Sequence, residues 1–478
     1  MSIARHTAYN LIGAVSPLAM SLVTVPIYLR TIGLDRYGML TICWLLIGYL
    51  GLFDFGIGRA TAQRLAKLGN GSREERSDAF WLGLSISGAF AVGAILIAIV
   101  IVPVLLDFID VRSAVLRREV LSTVPMIVFA VPIAIIQSVL RGALEGRREF
   151  LIVNVAITVA AIGTAAMPLF AAMLWGPQLQ HLVAASLAPR LCLLMALGAA
   201  CWLKIPVGNY HRPPKKEIKS AVQFGAWLTV TNITGPLMVA IDRFFIGASL
   251  GPAAVAIYVI PLNVVSQLAV VPAALGNAMF PSLTVSSRSD ELNRRALFGV
   301  SFLVSILSSL AIVLVGPFFE LWIGGTTAKQ STNVALVLVA GAWANAMAQI
   351  PHVSLQAAGR TDVAAKVHLA EFAPYLLLLW FALAHFGIIG AAAAWSIRCV
   401  VDYVALTWFD RVRGEVLRRT LTQGALVLFL AVATLKAETE SVLYWLMVTF
   451  AGGALAWYLY SVTPPRIVQY LRELYGPR

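Results

Sequence analysis

The amino-acid sequence predicts an all-α polytopic membrane protein, and three observations support that prediction. Apolar residues make up 59% of the chain and charged residues only 12%, against about 25% charged residues in a typical soluble domain. Long apolar runs recur along the chain, and about fourteen of them reach the roughly 20 residues that a helix needs to cross a bilayer. Basic residues concentrate in alternate gaps between these runs, which is typical of a chain that crosses a membrane repeatedly.

The apolar runs define the predicted transmembrane helices. Only helices and closed barrels satisfy the backbone polar groups in lipid, and these runs are too long and too uniformly apolar for barrel strands. In chain order the runs are Thr7–Arg30, Tyr37–Leu65, Ala79–Leu106, Val120–Leu144, Phe150–Trp175, Leu182–Leu203, Ser220–Ile246, Val255–Leu283, Ala296–Ile323, Val334–Gln356, Val367–Phe386, Gly390–Trp408, Leu421–Leu435 and Val442–Val462.

The basic residues predict the orientation of the chain. Most of the 36 Lys and Arg residues fall in the gaps that share a side with the N-terminus, and Lys and Arg are retained on the cytoplasmic face of a bilayer. Both termini are therefore predicted to be cytoplasmic. The formal net charge of +13 follows mostly from this topology, so it does not indicate nucleic-acid binding.

No cofactor and no metal site are predicted. The four cysteines lie within apolar runs and form no CxxC pair, which argues against a disulfide framework and against a zinc site. His352, His368 and His385 have no carboxylate or histidine at a convincing catalytic or metal spacing. We interpret these three histidines as packing or interface residues.

The chain divides into two similar halves. The longest break, Lys204–Lys219, is rich in Lys and Pro and is interpreted as a cytoplasmic linker between two sets of about six helices. The Gly-Arg pair at Gly146 recurs at Gly359, and Arg190 of the sixth run is matched by Arg398 of the twelfth. Because six helices return the chain to its starting side, the repeat is parallel, with a pseudo-twofold axis along the membrane normal.

This duplication predicts the domains and a class of function. The predicted segments are an N-terminal six-helix lobe at 1–208, a cytoplasmic linker at 209–219, a C-terminal six-helix lobe at 220–412, two additional transmembrane helices at 413–462 and a cytoplasmic tail at 463–478. Repeats of this kind place a cavity between two lobes, and alternating access arises when one lobe rocks against the other. Transport is therefore the leading class of function.

Four short segments resemble a known family. They are Tyr28–Gly38, Leu52–Ala60, Leu140–Gly146 and Ile241–Gly247. With the topology of the whole chain, they are similar to the polysaccharide-transporter family of the multidrug/oligosaccharidyl-lipid/polysaccharide exporter superfamily, specifically the Wzx-type O-antigen flippases.

The resemblance implies a multi-pass protein of the bacterial inner (cytoplasmic) membrane. Such a protein moves polyprenyl-diphosphate-linked oligosaccharide repeat units from the cytoplasmic to the periplasmic leaflet, for O-antigen or exopolysaccharide synthesis. The resemblance implies no covalent chemistry and no cofactor. It also implies a polysaccharide polymerase and a chain-length regulator as partners, besides the membrane lipids.

The chemistry of such a cargo predicts arginines inside the membrane, because a diphosphate cannot cross hydrocarbon without a wet, cationic cavity. Arg190, Arg243 and Arg398 lie within apolar runs, where a charge costs about 2.5 to 3.5 kcal/mol and so faces a partner or water. Arg also binds phosphate through a planar fork of donors. These three residues are predicted to bind the diphosphate, and the alternative is that each neutralises a buried carboxylate such as Asp54 or Asp402.

Two further arginines and three carboxylates complete the predicted transport site. Arg59 and Arg141 lie near cytoplasmic helix ends, where they would load the substrate or else only anchor their helices. Asp54, Asp242 and Glu371 are candidates for binding a proton or a sodium ion that drives transport, with structural pairing as the alternative.

Polar side chains within the runs are predicted to line the path of the sugar. The candidates are Gln137, Asn232, Asn263, Gln267, Asn345 and Gln349.

Two other classes of function stay open. A cation-coupled multidrug or metabolite exporter of the same superfamily would share the duplication but rely more on acidic cavity residues, so the arginines favour an anionic cargo. A membrane-embedded polysaccharide polymerase or ligase would need a substantial periplasmic loop with catalytic residues. The longest non-cytoplasmic gap, about Asp107–Glu119, carries no such cluster, and the chain is therefore not predicted to be an enzyme.

Overall fold

The computed structural model contains helices joined by short connections. The described residues are 3–50, 56–69, 72–205, 238, 240–285, 289–410, 414–436, 449 and 452–453. Within these residues no strand is present. The prediction of an all-α fold is confirmed.

The helices follow one another with few residues between them. They are α1 (Ile3–Leu50), α2 (Ile57–Leu68), α3 (Arg73–Asp107), α4 (Ala114–Gly146), α5 (Phe150–Trp175), α6 (Leu179–Lys204), α7 (240–250), α8 (Pro252–Val265), a 3-10 turn (Ser266–Ala269), α9 (Val270–Val285), α10 (Ser289–Trp322), α11 (Gly325–Ala357), α12 (Thr361–Phe409) and α13 (Glu415–Lys436). In the described part of the chain, nine stretches are long and apolar enough to cross a membrane. The count of about fourteen spans stays a prediction.

Two glycines divide long helices into two halves each. Gly33 (φ 80°, ψ 170°) interrupts α1, and Gly387 (φ 57°, ψ −142°) interrupts α12. Both glycines have a positive φ, which residues with a Cβ atom rarely adopt. Gly387 falls between the predicted runs Val367–Phe386 and Gly390–Trp408, so the prediction of two helices there is confirmed.

Two predicted runs are interrupted, and in one of them, Val255–Leu283, the 3-10 turn Ser266–Ala269 separates α8 from α9. Gly56 has φ 68° directly before α2, although the sequence predicts a single run over Tyr37–Leu65. That prediction is wrong, because apolar composition does not record the left-handed backbone at Gly56 from which α2 starts as a separate helix.

The first of two compact units comprises Met1–Ala256. In it α4 packs against α2, α3 and α6, and α5 packs against α1 and α6. Buried Leu65, Leu144, Val153 and Leu197 belong to one hydrophobic core, which joins α2, α4, α5 and α6.

Large apolar side chains also cover the outside of helices in this unit. Leu96, Val100 and Val104 on α3 are exposed and lie one helical turn apart. An exposed apolar stripe of this kind suits contact with lipid rather than with water.

Small residues bring α2 and α4 into backbone contact. A Cβ atom on Gly142 would lie 2.0 Å from the carbonyl oxygen of Gly58, and one on Gly146 would lie 2.6 Å from the carbonyl oxygen of Ala62. Close approach through glycines spaced by four residues is a common way to pack membrane helices. Two of the segments that carry the family resemblance, Leu52–Ala60 and Leu140–Gly146, therefore meet at this contact.

An ion pair joins α1, α4 and α6 in the first unit. Arg36 binds Glu119 through two hydrogen bonds, from Nη2 at 2.7 Å and from Nε at 3.0 Å. Glu119 also accepts a hydrogen bond from the backbone nitrogen of Leu179, at 3.0 Å. Leu179 is the first residue of α6, where a helix has unpaired N–H groups and a partial positive charge.

Glu119→Gln is expected to destabilise the protein by about 1.5 to 3 kcal/mol, the usual range for losing hydrogen bonds to a charged group. The measurement is the apparent melting temperature of the purified protein in detergent. Glu145→Gln is the control, because Glu145 pairs with Arg141 at an exposed position and such pairs contribute about 0.5 kcal/mol. Equal melting temperatures for the two variants would contradict the prediction.

The second unit comprises Ile257–Arg478, and α11 is its central helix. α11 packs against α9, α10, α12 and α13. Near its C-terminal end, Asn293 of α10 donates a hydrogen bond to Ser354 Oγ at 2.9 Å, and Ser354 Oγ donates to Asp410 at 3.0 Å. These bonds tie α10 and the end of α12 to α11.

Both units contain a similar joint between helices. α4 connects to α5 through Arg148, with φ 62°, and α11 connects to α12 through Gly359, with φ 72°. The repeat in the sequence aligns Gly146 with Gly359. In the structure the residue with positive φ that corresponds to Gly359 is Arg148, two positions after Gly146. The reason is that α4 continues through Gly146 where it packs on α2, and the left-handed residue comes after it.

Candidate functional site

Ionisable side chains gather around α12 inside the second unit. In the first half of α12, His368, Glu371 and Tyr375 are spaced by three and four residues, so they share one face of the helix. In the second half, Arg398 and Asp402 are four residues apart and also share a face. With His352 of α11, these residues are named here the α12 cluster.

The kink at Gly387 brings the two halves of α12 together. A Cβ atom on Gly390 would lie only 2.0 Å from the carbonyl oxygen of Ala382. The backbones on either side of the kink are therefore in direct contact, and side chains from both halves can meet.

Three contacts fix the arrangement of the α12 cluster. His368 Nε2 lies 3.2 Å from Asp402 Oδ1. The guanidinium carbon of Arg398 lies 5.8 Å from the centre of the Tyr375 ring, within the range of a cation–π interaction. His352 stacks on His368, with ring centres 6.0 Å apart and ring planes 15° apart.

Glu371 is the most unusual member of the α12 cluster. It is 9% exposed, and neither carboxylate oxygen receives a hydrogen bond from any described residue. Asp402, Arg398 and His368 are close enough to interact with it electrostatically. A buried carboxylate without donors is strongly disfavoured in its charged form, so this position is suited to bind a proton or a small cation.

Two members of the α12 cluster, Glu371 and Arg398, lie near the middle of the two halves of α12. At a rise of 1.5 Å per residue, Glu371 is about 15 Å from the start of α12 at Thr361, and Arg398 is about 16 Å from its end at Phe409. Both ends face the same side, since Arg360 donates a hydrogen bond to the carbonyl oxygen of Phe409 at 2.8 Å. Half of a hydrocarbon core is about 15 Å thick, so both side chains are about as far from the helix ends as the middle of a bilayer is from its edge.

Arg190 lies near the middle of α6 in the first unit. Its Nε atom is buried and has no hydrogen-bond acceptor among the described residues. Gln137 of α4 donates a hydrogen bond of 2.5 Å to the backbone oxygen of Arg190, which fixes the helix around it. The Gln137 amide, predicted to line the sugar path, thus has a structural partner.

Arg243 and Asp242 are neighbours on α7. Asp242 is fully buried, and its Oδ1 accepts a hydrogen bond from the backbone nitrogen of Arg243 at 2.7 Å. Arg243 is half-buried, and its Nε atom has no acceptor in the described part of the chain. Arg398 of the α12 cluster has the same property at Nε, so all three deep arginines keep donor capacity.

Arg59 and Arg141 flank the tight contact between α2 and α4. Both side chains are exposed. Arg141 Nε donates to Glu145 Oε1 at 2.7 Å, one turn along the same helix, which offsets part of its charge.

The remaining predicted residues are placed as follows. Asp54 and Asn232 lie outside the described residues. The Gln267 amide donates to the backbone oxygen of Asn263 at 3.1 Å, and the Gln349 amide donates to that of Asn345 at 3.4 Å. These two amides are therefore partly engaged within their own helices.

Sequence reasoning missed four members of the α12 cluster. The sequence predicts His352 and His368 to be packing or interface residues and Asp402 to be a carboxylate that a buried arginine neutralises, and it gives Tyr375 no role. The signal available was the spacing of His368, Glu371 and Tyr375 on one helix face. What the spacing does not reveal is that Gly387 folds the second half of α12 back onto this face.

The fold is that of a known class of membrane transporter. The structure resembles the inward closed conformation of the lipid II flippase MurJ, with a TM-score of 0.69 and 12% identity, over 95% of this chain and 98% of that one. It also resembles an inward-facing multidrug resistance MATE family transporter of the MOP superfamily, with a TM-score of 0.68 and 12% identity, over 87% of this chain and 99% of that one. The protein is thus a multi-pass membrane protein with a transporter fold.

The sequence then gives the family. Residues 3–287 match the family described as polysaccharide biosynthesis protein, and the chain belongs to this family. A Shigella flexneri protein proposed to be an O-antigen transporter is 28% identical over 413 residues, which cover 85% of this chain and 97% of that protein. The resemblance to the polysaccharide transporters is confirmed.

Proposed function

We propose that this protein is a flippase that moves polyprenyl-diphosphate-linked oligosaccharide from the cytoplasmic to the periplasmic leaflet of the bacterial inner membrane, by alternating access. The family match, the O-antigen relative and the transporter fold support transport of a lipid-linked saccharide. The observation that carries the proposal is that Arg190, Arg243 and Arg398 each keep a buried Nε donor without an acceptor among the described residues.

These arginines suit the charged part of the cargo. A guanidinium in the membrane is costly unless it meets an anion or water, and its fork of N–H donors matches the oxygens of a phosphate. We propose that the three arginines bind the diphosphate, with Arg59 and Arg141 assisting from exposed positions. The lipid chain would remain in the bilayer during transport. Because translocation itself makes and breaks no covalent bond, the protein is proposed not to be an enzyme.

Glu371 is proposed to couple transport to an ion gradient. It is buried near the middle of the first half of α12 and lacks donors among the described residues, which suits a group that takes up a proton or a sodium ion and releases it again. The buried Asp242 is a second candidate in the first unit, and Asp54 stays a candidate from the sequence. Both termini are proposed to be cytoplasmic, and polymerase and chain-length proteins are proposed partners.

The test is to deplete the protein in its host and quantify lipid-linked oligosaccharide by leaflet-specific labelling. Repeat units are expected to accumulate on the cytoplasmic leaflet and to return to normal with the wild-type gene. With Arg398→Gln, repeat units are expected to reach the periplasmic leaflet about tenfold to a hundredfold more slowly than with the wild-type protein. This loss corresponds to charge-assisted hydrogen bonds of about 1.5 to 3 kcal/mol. Arg398→Lys is expected to rescue only partly, because it keeps the charge and loses the fork.

Arg112→Gln is the matched control. Arg112 is exposed and pairs with Asp110 at 3.4 Å outside the helices, so its removal is expected to leave transport unchanged. Normal appearance of repeat units on the periplasmic leaflet during depletion would overturn the proposed function.

A cation-coupled exporter of small molecules is the second candidate. Two carboxylates, Glu371 and Asp402, share the α12 cluster with a single arginine, and an excess of acid favours organic cations. Hypersensitivity of the depleted host to cationic dyes, with unaltered lipid-linked oligosaccharide, would favour this candidate over the flippase.

A further inference from the structure

We propose that His352 and His368 form a proton relay between the loop joining α11 to α12 and the buried Glu371. This inference rests on the proposed role of Glu371 as the group that takes up the coupling ion, and it specifies that ion as a proton. The relay would determine the side of the membrane from which the proton arrives.

The outer end of the relay is near the surface. Gln356 is exposed and is the residue before the end of α11 at Ala357. The Gln356 amide donates to His352 Nε2 at 2.8 Å, so neutral His352 carries its proton on Nδ1. His352 is half-buried and about 8 Å from the helix end, within reach of solvent at the loop.

The middle step links the two histidines. Their rings are parallel to within 15°, with centres 6.0 Å apart. The 6.0 Å joins ring centres and not nitrogen atoms, so the relay requires one water molecule that bridges Nδ1 of His352 and a nitrogen of His368. When the Gln356 amide turns away, His352 Nε2 takes up a proton and Nδ1 releases a different one, which passes through the water to His368.

The inner step leads to the carboxylates. His368 Nε2 lies 3.2 Å from Asp402 Oδ1, a buried oxygen that accepts no hydrogen bond from the described residues, so a rotation of the imidazole aligns the two atoms for His368 to pass its proton to Asp402. Asp402 interacts with Glu371, and Glu371 has both oxygens free of donors in the described part of the chain. Each transfer moves one proton between two groups and changes no other bond, and Glu371 is the last acceptor.

The surroundings suit proton exchange. The charged or titratable described groups around the relay include His352 from α11 and His368, Glu371, Tyr375, Arg398 and Asp402 from α12. Arginine side chains remain protonated in proteins. Histidine, by contrast, changes charge near neutral pH and exchanges protons through two ring nitrogens.

The relay is tested by infrared spectroscopy of the full chain reconstituted in lipid. A protonated carboxylic acid has a separate carbonyl band, which is assigned to Glu371 by its loss in Glu371→Gln. After a jump from H₂O to D₂O, the shift of this band reports the rate at which the Glu371 proton exchanges. His368→Asn and His352→Gln are each expected to slow this exchange by about tenfold or more, since each removes an acid–base group from the path.

His385→Gln is the control. His385 is also on α12, but it is exposed and its Nδ1 bonds only the backbone oxygen of Phe381, at 2.9 Å, so the exchange rate is expected to stay at the wild-type value. Elution of each variant as a single folded species in size-exclusion chromatography keeps the comparison valid.

The outcomes separate the two proposals. Slower exchange in both relay variants, with wild-type exchange in His385→Gln, supports the relay. A Glu371 band that exchanges at the wild-type rate in both relay variants overturns the relay and leaves Glu371 as the proton site. Absence of any Glu371 band in the wild-type protein overturns the proton-binding role of Glu371 and, with it, the relay.

Discussion

Glu371→Gln is expected to reduce gradient-driven transport by about a hundredfold or more, because a coupled proton transfer contributes about that much to a rate. Glutamine has nearly the same shape and length as glutamate but cannot gain or lose a proton. The effect is large because Glu371 is buried and neither of its oxygens receives a hydrogen bond from the described residues, which leaves both oxygens available to a transported ion.

The measurement uses everted membrane vesicles and lipid-linked oligosaccharide extracted from the depleted host. ATP acidifies the vesicle interior, and transport is followed as protection of the saccharide from an added glycosidase. Asp362→Asn is the control, because Asp362 pairs with Lys366 at an exposed position of the same helix. Glu371→Asp should retain part of the response, and a full response of Glu371→Gln to the gradient would remove Glu371 from the coupling mechanism.

The sequence predicts the helices well because the bilayer imposes a simple rule on composition. A span must be apolar over about 20 residues, and this rule places the two halves of α12 correctly on either side of Gly387. It fails at Gly56, where a left-handed residue starts α2 inside an apolar stretch. Hydropathy measures the cost of transfer to lipid, and it contains no information on backbone direction.

The candidate site is less predictable than the helices. Arg398 and Glu371 stand out in the sequence because a charge inside an apolar run is costly. His352 and His368 do not, since histidine is common in many environments and its role here depends on contacts between α11 and the two halves of α12. The His368–Asp402 contact follows from the kink at Gly387, the His352–His368 contact follows from the packing of α11 on α12, and spacing along the chain predicts neither.

Two of the four segments that carry the family resemblance have a structural explanation. Gly58 and Gly142 belong to two of the resembling segments, and they allow the backbones of α2 and α4 to touch. Arg59 and Arg141 are adjacent to these glycines in sequence and are exposed. The glycines in these segments are therefore explained by helix packing. Their contact does not explain the two arginines, whose role in substrate binding needs a separate test.

Gly142→Ala is expected to destabilise the first unit by about 3 kcal/mol, the upper part of the range for overpacking a well-packed interior. The added Cβ atom would lie 2.0 Å from the carbonyl oxygen of Gly58 and 2.7 Å from its carbonyl carbon. These are backbone atoms, so no side-chain rotation relieves the clash and α2 must move away from α4. The measurement is the apparent melting temperature in detergent, together with the amount of protein that reaches the membrane.

Gly93→Ala separates this clash from the general effect of alanine in a helix. Gly93 is exposed on α3, and a Cβ atom there meets nothing within 4 Å, so alanine is expected to stabilise the helix by up to about 1 kcal/mol. The two substitutions make the same chemical change in membrane helices and are expected to shift the melting temperature in opposite directions. If both raise it, α2 and α4 are not in backbone contact at Gly58 and Gly142, and the resembling segments require another explanation.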